Sequence, residues 1–153
     1  MINPLWPRWI ESSILKYLTT EIVSAGYNVR TSVEAWDDTP SKKYVQIVLN
    51  GPNFRRTSPT KYEVLVTVNL LIEAEVTTDI YESADIVGTC ISLLESIPVF
   101  NYGQTGPTQQ GCLTPVEDST ARDWTSKDGG VADGLNIHQR SVETDLTMEL
   151  TNG

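Results

Sequence analysis

The fold is decided by residues 61–76, which read Lys61-Tyr-Glu-Val-Leu-Val-Thr-Val-Asn-Leu-Leu-Ile-Glu-Ala-Glu-Val76. Successive side chains of a β-strand point to opposite faces of the sheet, so residues of one parity share a face. The even-numbered positions from Tyr62 to Val76 are all apolar, whereas the odd-numbered positions mix leucine with glutamate, threonine and asparagine. This alternation predicts one long strand with a buried face and a second face that is partly wet or packed on a neighbour.

Apolar periodicity before and after this strand predicts further elements. Residues 7–25 carry apolar side chains every three or four positions, as an amphipathic helix does. Residues 28–36 and 44–50 alternate like strands, and the alternation returns in residues 137–150. Residues 51–59 are rich in glycine, proline and asparagine, so we expect a loop at the tip of a long hairpin there.

A second helix is predicted directly after the long strand. Asp79 and Glu82 have the spacing of a capping box, in which two side chains satisfy free backbone N–H groups of the first helical turn. An apolar stripe that includes Val87 continues at helical spacing to Ile97. Pro98 then disfavours helical backbone before it, so we expect the helix to end there.

Residues 101–134 are rich in glycine, proline, threonine and glutamine and show no sustained periodicity. We expect an extended loop or arm, with short strands at most near residues 112–116 and 121–125. The element order is then helix, three strands, helix, loop and strand. It predicts one α+β domain over residues 1–153, with a mostly antiparallel sheet of four or more strands and two helices packed on one face.

The charge is unevenly distributed along the chain. The net charge is −9, yet residues 1–61 contain eight basic and five acidic residues. Residues 62–121 contain nine carboxylates and no lysine or arginine. Such a segment is not a nucleic-acid-binding surface, because neutralising phosphates requires lysine and arginine. We expect a soluble protein made in the cytoplasm, since no secretion signal or membrane-spanning run is visible.

Residues typical of catalytic and metal sites are sparse. Two cysteines, Cys90 and Cys112, are too few for a disulfide framework or a zinc site, and His138 is the only histidine. Residues 106–111 have the glycine spacing of a phosphate loop, but Cys112 stands where that loop needs lysine. Paired carboxylates such as Glu117 and Asp118 leave open a small hydrolase that uses acidic residues. We expect no catalytic residues, no cofactor and no metal.

Candidates for contacts with partners are charged and aromatic. The cations of the hairpin tip, with an aromatic beside them, indicate either a partner-binding tip or a solvated loop with a hydrophobic plug. Tryptophans of the first helix and of the polar segment are possible interface anchors, or are tucked against the sheet. These candidates are Phe54, Arg55, Arg56, Lys61, Trp6, Trp9 and Trp124.

The order of elements and a few aromatic positions resemble a known group of proteins. The helix begins Leu5-Trp-x-x-Trp-Ile10, the next strand ends near Trp36-Asp-Asp38, and Tyr44-Val-Gln-Ile-Val48 follows. An arginine-bearing loop, the long strand, an amphipathic helix and an alternating strand complete the chain. The order resembles that of the tail-terminator and neck proteins of tailed bacteriophages, which join the tail tube to the head connector.

The resemblance implies a structural protein of the virion, assembled in the host cytoplasm, with no enzymatic activity. Its subunits would form a ring, commonly a hexamer, around a channel through which DNA passes without specific binding. The tail terminator is the leading identity, and a head-closure or connector protein is the alternative. The partners would be copies of the chain, tail-tube proteins and head-connector proteins. We expect an acidic channel wall that repels phosphate, with Glu73, Glu75, Glu117 and Asp118 as candidates.

Overall fold

The structure is a computed structural model that describes residues 3–31, 44–76, 81–116, 122–125, 131–132 and 135–151. Two helices and eight strands follow one another within these residues. In chain order they are α1 (Trp6–Ser24), β1 (Asn28–Thr31), β2 (Tyr44–Ser58), β3 (Lys61–Val76), α2 (Glu82–Leu93), β4 (Ile97–Phe100), β5 (Gln109–Pro115), β6 (Arg122–Thr125), β7 (Val131–Ala132) and β8 (Leu135–Thr151).

Strand β3 lies at the centre of a mostly antiparallel sheet with the order β1-β2-β3-β8-β5-β4. It pairs with β8 without a register shift, from Lys61 opposite Thr151 to Val76 opposite Asn136. Its other edge pairs with β2, and β1 adds a short parallel strand beyond β2. The α+β fold class predicted from the sequence is therefore confirmed, and the two strongest alternating patterns are neighbours in the sheet.

The second edge of β8 is shared by three strands, with β7, β6 and β5 pairing along it in succession. Strand β5 then leaves β8 and pairs with β4, which packs against α1. The Ser13 hydroxyl of α1 accepts a hydrogen bond from the Phe100 N–H at 2.9 Å and lies 3.3 Å from the Phe100 carbonyl. The sheet therefore curls toward the first helix through β5 and β4.

The core lies between the even-numbered face of β3 and the two helices. Val64, Val66, Val68, Leu70 and Ala74 are fully buried, in the same cluster as the apolar stripes of α1 and α2. Both helices therefore pack on one face of the sheet, as predicted. The odd-numbered face is uncovered among the described residues, since Leu65 and Leu71 keep 40% and 39% of their surface exposed.

The hairpin differs from the prediction, because residues 51–58 continue strand β2 and do not form a loop. A register shift between Asn50 and Asn53 absorbs Gly51 and Pro52, and pairing with β3 then resumes. Gly51 has a φ of +105°, and a Cβ there would lie 3.0 Å from the Leu65 carbonyl oxygen. A residue with this φ and so close a backbone neighbour favours glycine. The predicted loop is therefore a bulge followed by more strand.

The second helix is shorter than predicted. It begins at Glu82 and ends at Leu93, so Ile97 belongs to strand β4 instead. The predicted capping box is wrong in register, since Glu82 is the first helical residue and Tyr81 precedes it. Asp79 itself lies outside the described residues. The helix stops earlier because Ile97 gains a strand partner, Leu113 of β5.

Residues 101–134, expected as an extended loop or arm, contribute three strands to the sheet. Two of these, β5 and β6, coincide closely with the short strands considered for residues 112–116 and 121–125. The predicted strand over residues 28–36 is confirmed for residues 28–31, and residues 32–36 lie outside the described part of the chain.

Leu70 and Leu71 lie on opposite faces of β3, so truncating them should lower the free energy of unfolding by different amounts. Leu70→Ala should lower the free energy of unfolding by about 2–5 kcal/mol, because Leu70 is fully buried. Leu71→Ala, the matched control on the other face, should cost less than about 1.5 kcal/mol. Urea denaturation of both variants measures the difference, and equal losses would contradict the assignment of faces.

Candidate interaction site

The distal part of the hairpin, residues 53–61, is a largely exposed extension of the sheet that we call the hairpin arm. Its backbone is held by pairing with β3, from Asn53 opposite Leu65 to Ser58 opposite Lys61. Phe54 is half-buried and packs against the edge of the core, so it anchors the arm. The arm is thus a fixed strand pair and not a solvated loop.

All three cations predicted at the hairpin tip lie on the arm. The guanidinium of Arg55 lies 3.1 Å from a Glu63 carboxylate oxygen, and the Lys61 ammonium lies 3.1 Å from Glu149. Exposed ion pairs of this kind contribute about 0–1 kcal/mol to stability. They leave the side chains free to exchange partners in a complex.

Arg56 has a different role on the arm. Its guanidinium donates hydrogen bonds to the carbonyl oxygens of Ser58 and Pro59, both at 3.2 Å, across the turn. Within the described part of the chain no carboxylate forms an ion pair with it. The arm therefore presents a positive charge beside a turn that the same side chain stabilises.

The odd-numbered side of β3 and β8 forms a carboxylate-rich surface that we call the acidic face. The two strands place five acidic residues on this side, and neutral residues such as Leu65, Thr67 and Asn69 lie between them. Thr67 donates a hydrogen bond of 2.6 Å to Asp145, which orients that carboxylate. The members of the acidic face are Glu63, Glu73, Glu143, Asp145 and Glu149.

Of the residues predicted for an acidic wall, Glu73 belongs to the acidic face. Its carboxylate accepts a hydrogen bond from the Tyr44 hydroxyl, and the Arg30 guanidinium lies 4.0 Å from the centre of the Tyr44 ring. Burial, and then the bond to Glu73, raise the pKa of Tyr44 well above its ordinary value. Glu73 is therefore engaged in a side-chain cluster at one end of the face.

Of the other three residues predicted for the acidic wall, one lies within the described part of the chain. Glu75 lies in β3, opposite Ile137 of β8, whereas Glu117 and Asp118 lie outside the described residues. Sequence reasoning did not propose Glu143 and Asp145, which the structure places on the acidic face. The signal was present, because both share the parity of Glu149 in the alternating pattern of β8.

The tryptophans of α1 are mostly internal. Trp9 is buried in the core, which agrees with the alternative in which the tryptophans are tucked against the sheet. Trp6 is half-buried and packs edge-on against Trp9, with ring centres 5.1 Å apart. Only Trp6 keeps surface available for a partner. Trp124 lies in β6, opposite Ser141 of β8.

A shallow groove of about 410 Å³ lies between α1 and β4. Tyr17 and Glu21 line its helical side, and Phe100 and Tyr102 line the other. The Lys16 ammonium lies 4.0 Å from the centre of the Tyr102 ring, which is a cation–π contact. Burial and the nearby Glu21 carboxylate raise the pKa of Tyr17. These contacts join the helix to the curled end of the sheet.

Cys90 and Cys112 are both free cysteines. Burial raises the pKa of the Cys90 thiol to about 12, so this thiol stays protonated and unreactive at neutral pH. Cys112 is half-buried, with its sulfur 2.7 Å from the Ser96 hydroxyl oxygen. The described residues contain no group of three metal-binding side chains. His138 lies in β8, opposite Ala74.

Neither of the two described helices is long and apolar enough to cross a membrane.

Comparisons with known proteins identify no family. No family model matches the chain, and no curated protein matches it. Eleven chains of solved structure match. One of them, which carries only a sequence identifier as its name, has a TM-score of 0.47 and 10% identity over 91% of this chain and 94% of its own. This likeness is too weak to bear on function.

The Tyr44–Glu73 contact predicts a pH dependence of stability. The pKa of Tyr44 is higher in the folded chain than in the unfolded chain, where it is near 10. The stability that the neutral Tyr44 hydroxyl contributes is therefore complete below pH ~10 and is lost as the pH rises toward the folded pKa. Between these values the free energy of unfolding should fall by about 1.4 kcal/mol per pH unit more in the native chain than in Tyr44→Phe. Urea titrations from pH 8 to 11 measure this, and parallel profiles would contradict it.

Proposed function

We propose that this chain is a structural subunit in the neck or tail of a tailed bacteriophage. In this proposal it is the tail terminator, which assembles into a ring that caps the tail tube and joins it to the head connector. The observation that carries the proposal is the presence, on one sheet, of a cationic hairpin arm and of an acidic face that adjoins it at Glu63 and Glu149. The resemblance in element order supplies the phage context.

Two different complementary surfaces on one subunit are what a closed ring requires. In a ring each subunit contacts its neighbours head to tail, so one patch of each copy meets another patch of the next. The hairpin arm carries three cations. The acidic face carries five carboxylates, of which Glu63 and Glu149 pair with arm cations of the same subunit. Opposite charges of this kind orient the subunits and speed their association. The pairs of Arg55 and Lys61 within the subunit cost little to rearrange.

The position of the helices decides which side of the sheet can line a channel. Both helices cover the even-numbered face, so the acidic face is the side of the central sheet that can point toward the axis of a ring. Glu143 and Asp145 lie at the middle of this face. A wall of like charge repels the phosphates of DNA and lets the duplex slide without being captured. The acidic face thus supports a role as a passage for DNA.

The proposal predicts a closed oligomer of the purified protein. Native mass spectrometry should give one defined ring size, with a hexamer as the leading expectation, and negative-stain images should show a central channel. Since the contacts join opposite charges, raising the salt from 0.1 to 1 M should shift the population toward monomers. A chain that remains monomeric at low salt and in the presence of tail tubes would contradict the proposal.

The same rings distinguish the two neck identities. A tail terminator should bind the ends of tail tubes assembled from the tube protein of the same phage and should stop their growth. A head-closure protein should instead bind the connector and leave tube growth unchanged. Tube length in electron micrographs, with and without the added protein, measures the difference.

A further inference from the structure

One edge of strand β2 is free over the hairpin arm. Strand β1 pairs with β2 only from Tyr44 to Ile47, and residues 53–58 pair only with β3 in the described part of the chain. The outward backbone N–H and C=O groups of this segment therefore have no strand partner there. A free edge of this kind is a template for pairing with another strand.

The opposite edge of the same three strands is also free. Strand β5 pairs with β8 at Leu146 and Thr147 only. Its earlier residues pair with β4, although Gly111 still lies against the Met148 side chain on the core side. Met148–Thr151 therefore have β3 on one side and no described strand on the other. The strands β2, β3 and β8 thus end in a three-stranded extension with two open edges at the same level.

We propose that neighbouring subunits join by pairing the free edge of β2 with the free edge of β8 of the next copy. The sheet then continues from subunit to subunit, and the closed ring has no open edge at this level. The inference rests on the proposed function, because it specifies how that ring closes. Since β2 and β8 are both antiparallel to β3, they run in the same direction and the new ladder is parallel.

Charge selects the register of this pairing. Glu149 is the only charged residue of the free β8 edge, and its side chain is 61% exposed. Arg55 lies on the same side of the sheet, level with Glu63 and Glu149 of its own subunit, with its side chain 80% exposed. Opposite charges on adjacent strands stabilise a pair, whereas like charges destabilise it. Arg55 therefore sits beside Glu149 of the next copy.

The other side of the sheet agrees with this register. Phe54 and Met148 both lie level with Val64 on the core side of their own subunit. Placing Arg55 beside the next copy's Glu149 brings Phe54 beside the next copy's Met148. The half-buried Phe54 ring then gains a small apolar contact, since Met148 keeps only 7% of its surface exposed. One register thus satisfies both faces.

Paired cysteines test the edge contact without removing either charge. Ser58 and Thr151 both lie level with Lys61, on the outer strands of one subunit. Two strand spacings, about 9.6 Å, separate them within a subunit. A disulfide needs Cα atoms no more than about 6.8 Å apart, so this bond can form only between copies. Ser58→Cys with Thr151→Cys is made in a Cys112→Ser background, which leaves only the buried Cys90.

Mild oxidation of this variant should produce a ladder of cross-linked species that ends at the ring size seen by native mass spectrometry. Either cysteine alone should give dimers at most. Tyr81→Cys with Thr151→Cys is the matched control for random collision, because Tyr81 is exposed but lies before α2, away from both edges. It should give no ladder.

The outcomes separate the edge pairing from the proposed function. Closed rings that give no ladder would overturn the edge pairing and leave the ring intact. Open cross-linked chains without rings would support the edge pairing and contradict the proposed function. A protein that stays monomeric at its highest soluble concentration and gives no ladder would overturn the pairing. In that case Pro52 and the arginines act only to protect an exposed edge.

Exchanged charges provide an independent test. Arg55→Glu and Glu149→Arg each place like charges at every junction, so each variant should associate about tenfold or more weakly than the native chain. An equal mixture should recover association, because alternating copies restore an opposite pair at every junction. Within one subunit Arg55→Glu also places a carboxylate opposite Glu63, and Glu149→Arg places a guanidinium beside Lys61. These side chains are exposed, so each melting temperature should fall by only a few degrees. Failure of the mixture to recover would overturn the proposed register.

Discussion

The rest of the structure depends on the burial of one face of strand β3 between β2 and β8. Its even-numbered side chains are shielded from water by both helices, so a shift of one residue would exchange the apolar face for the polar face. This constraint fixes the register of both neighbouring strands. It also leaves Glu63 and Glu73 on the opposite side. The acidic face is thus a consequence of the same alternation that builds the core.

The hairpin arm extends this constraint beyond the core. Because β2 recovers its pairing after the bulge at Gly51, the arm is held by β3 and by the half-buried Phe54. Arg55 consequently pairs with Glu63 of β3, and Lys61 pairs with Glu149 of β8. A rigid arm with two open strand edges can meet the next copy of the chain in a defined register. The proposed ring therefore depends on sheet geometry more than on any individual side chain.

The sequence predicted the parts of the fold that repeat a simple period. The alternating patterns of β3, around Leu70, and of β8 predicted both central strands of the sheet. Gly51 and Pro52 instead suggested a loop, because a β-bulge uses the same residue types as a turn. Ile97 continued a helical stripe, yet long-range pairing with β5 makes it part of a strand. The acidic face required knowing that β3 and β8 are neighbours. That pairing joins residues distant in the chain, so local periodicity does not reveal it.

The central claim is that subunits form a ring with the acidic face toward the channel and a sheet that continues between copies. An electron cryomicroscopy map of the assembled protein that separates individual strands tests it most directly. The account predicts both helices on the outside of the ring and a strand spacing of about 4.8 Å across each boundary between β2 and β8 of the next copy. Helices that line the channel, or a gap without strand pairing at that boundary, would contradict it.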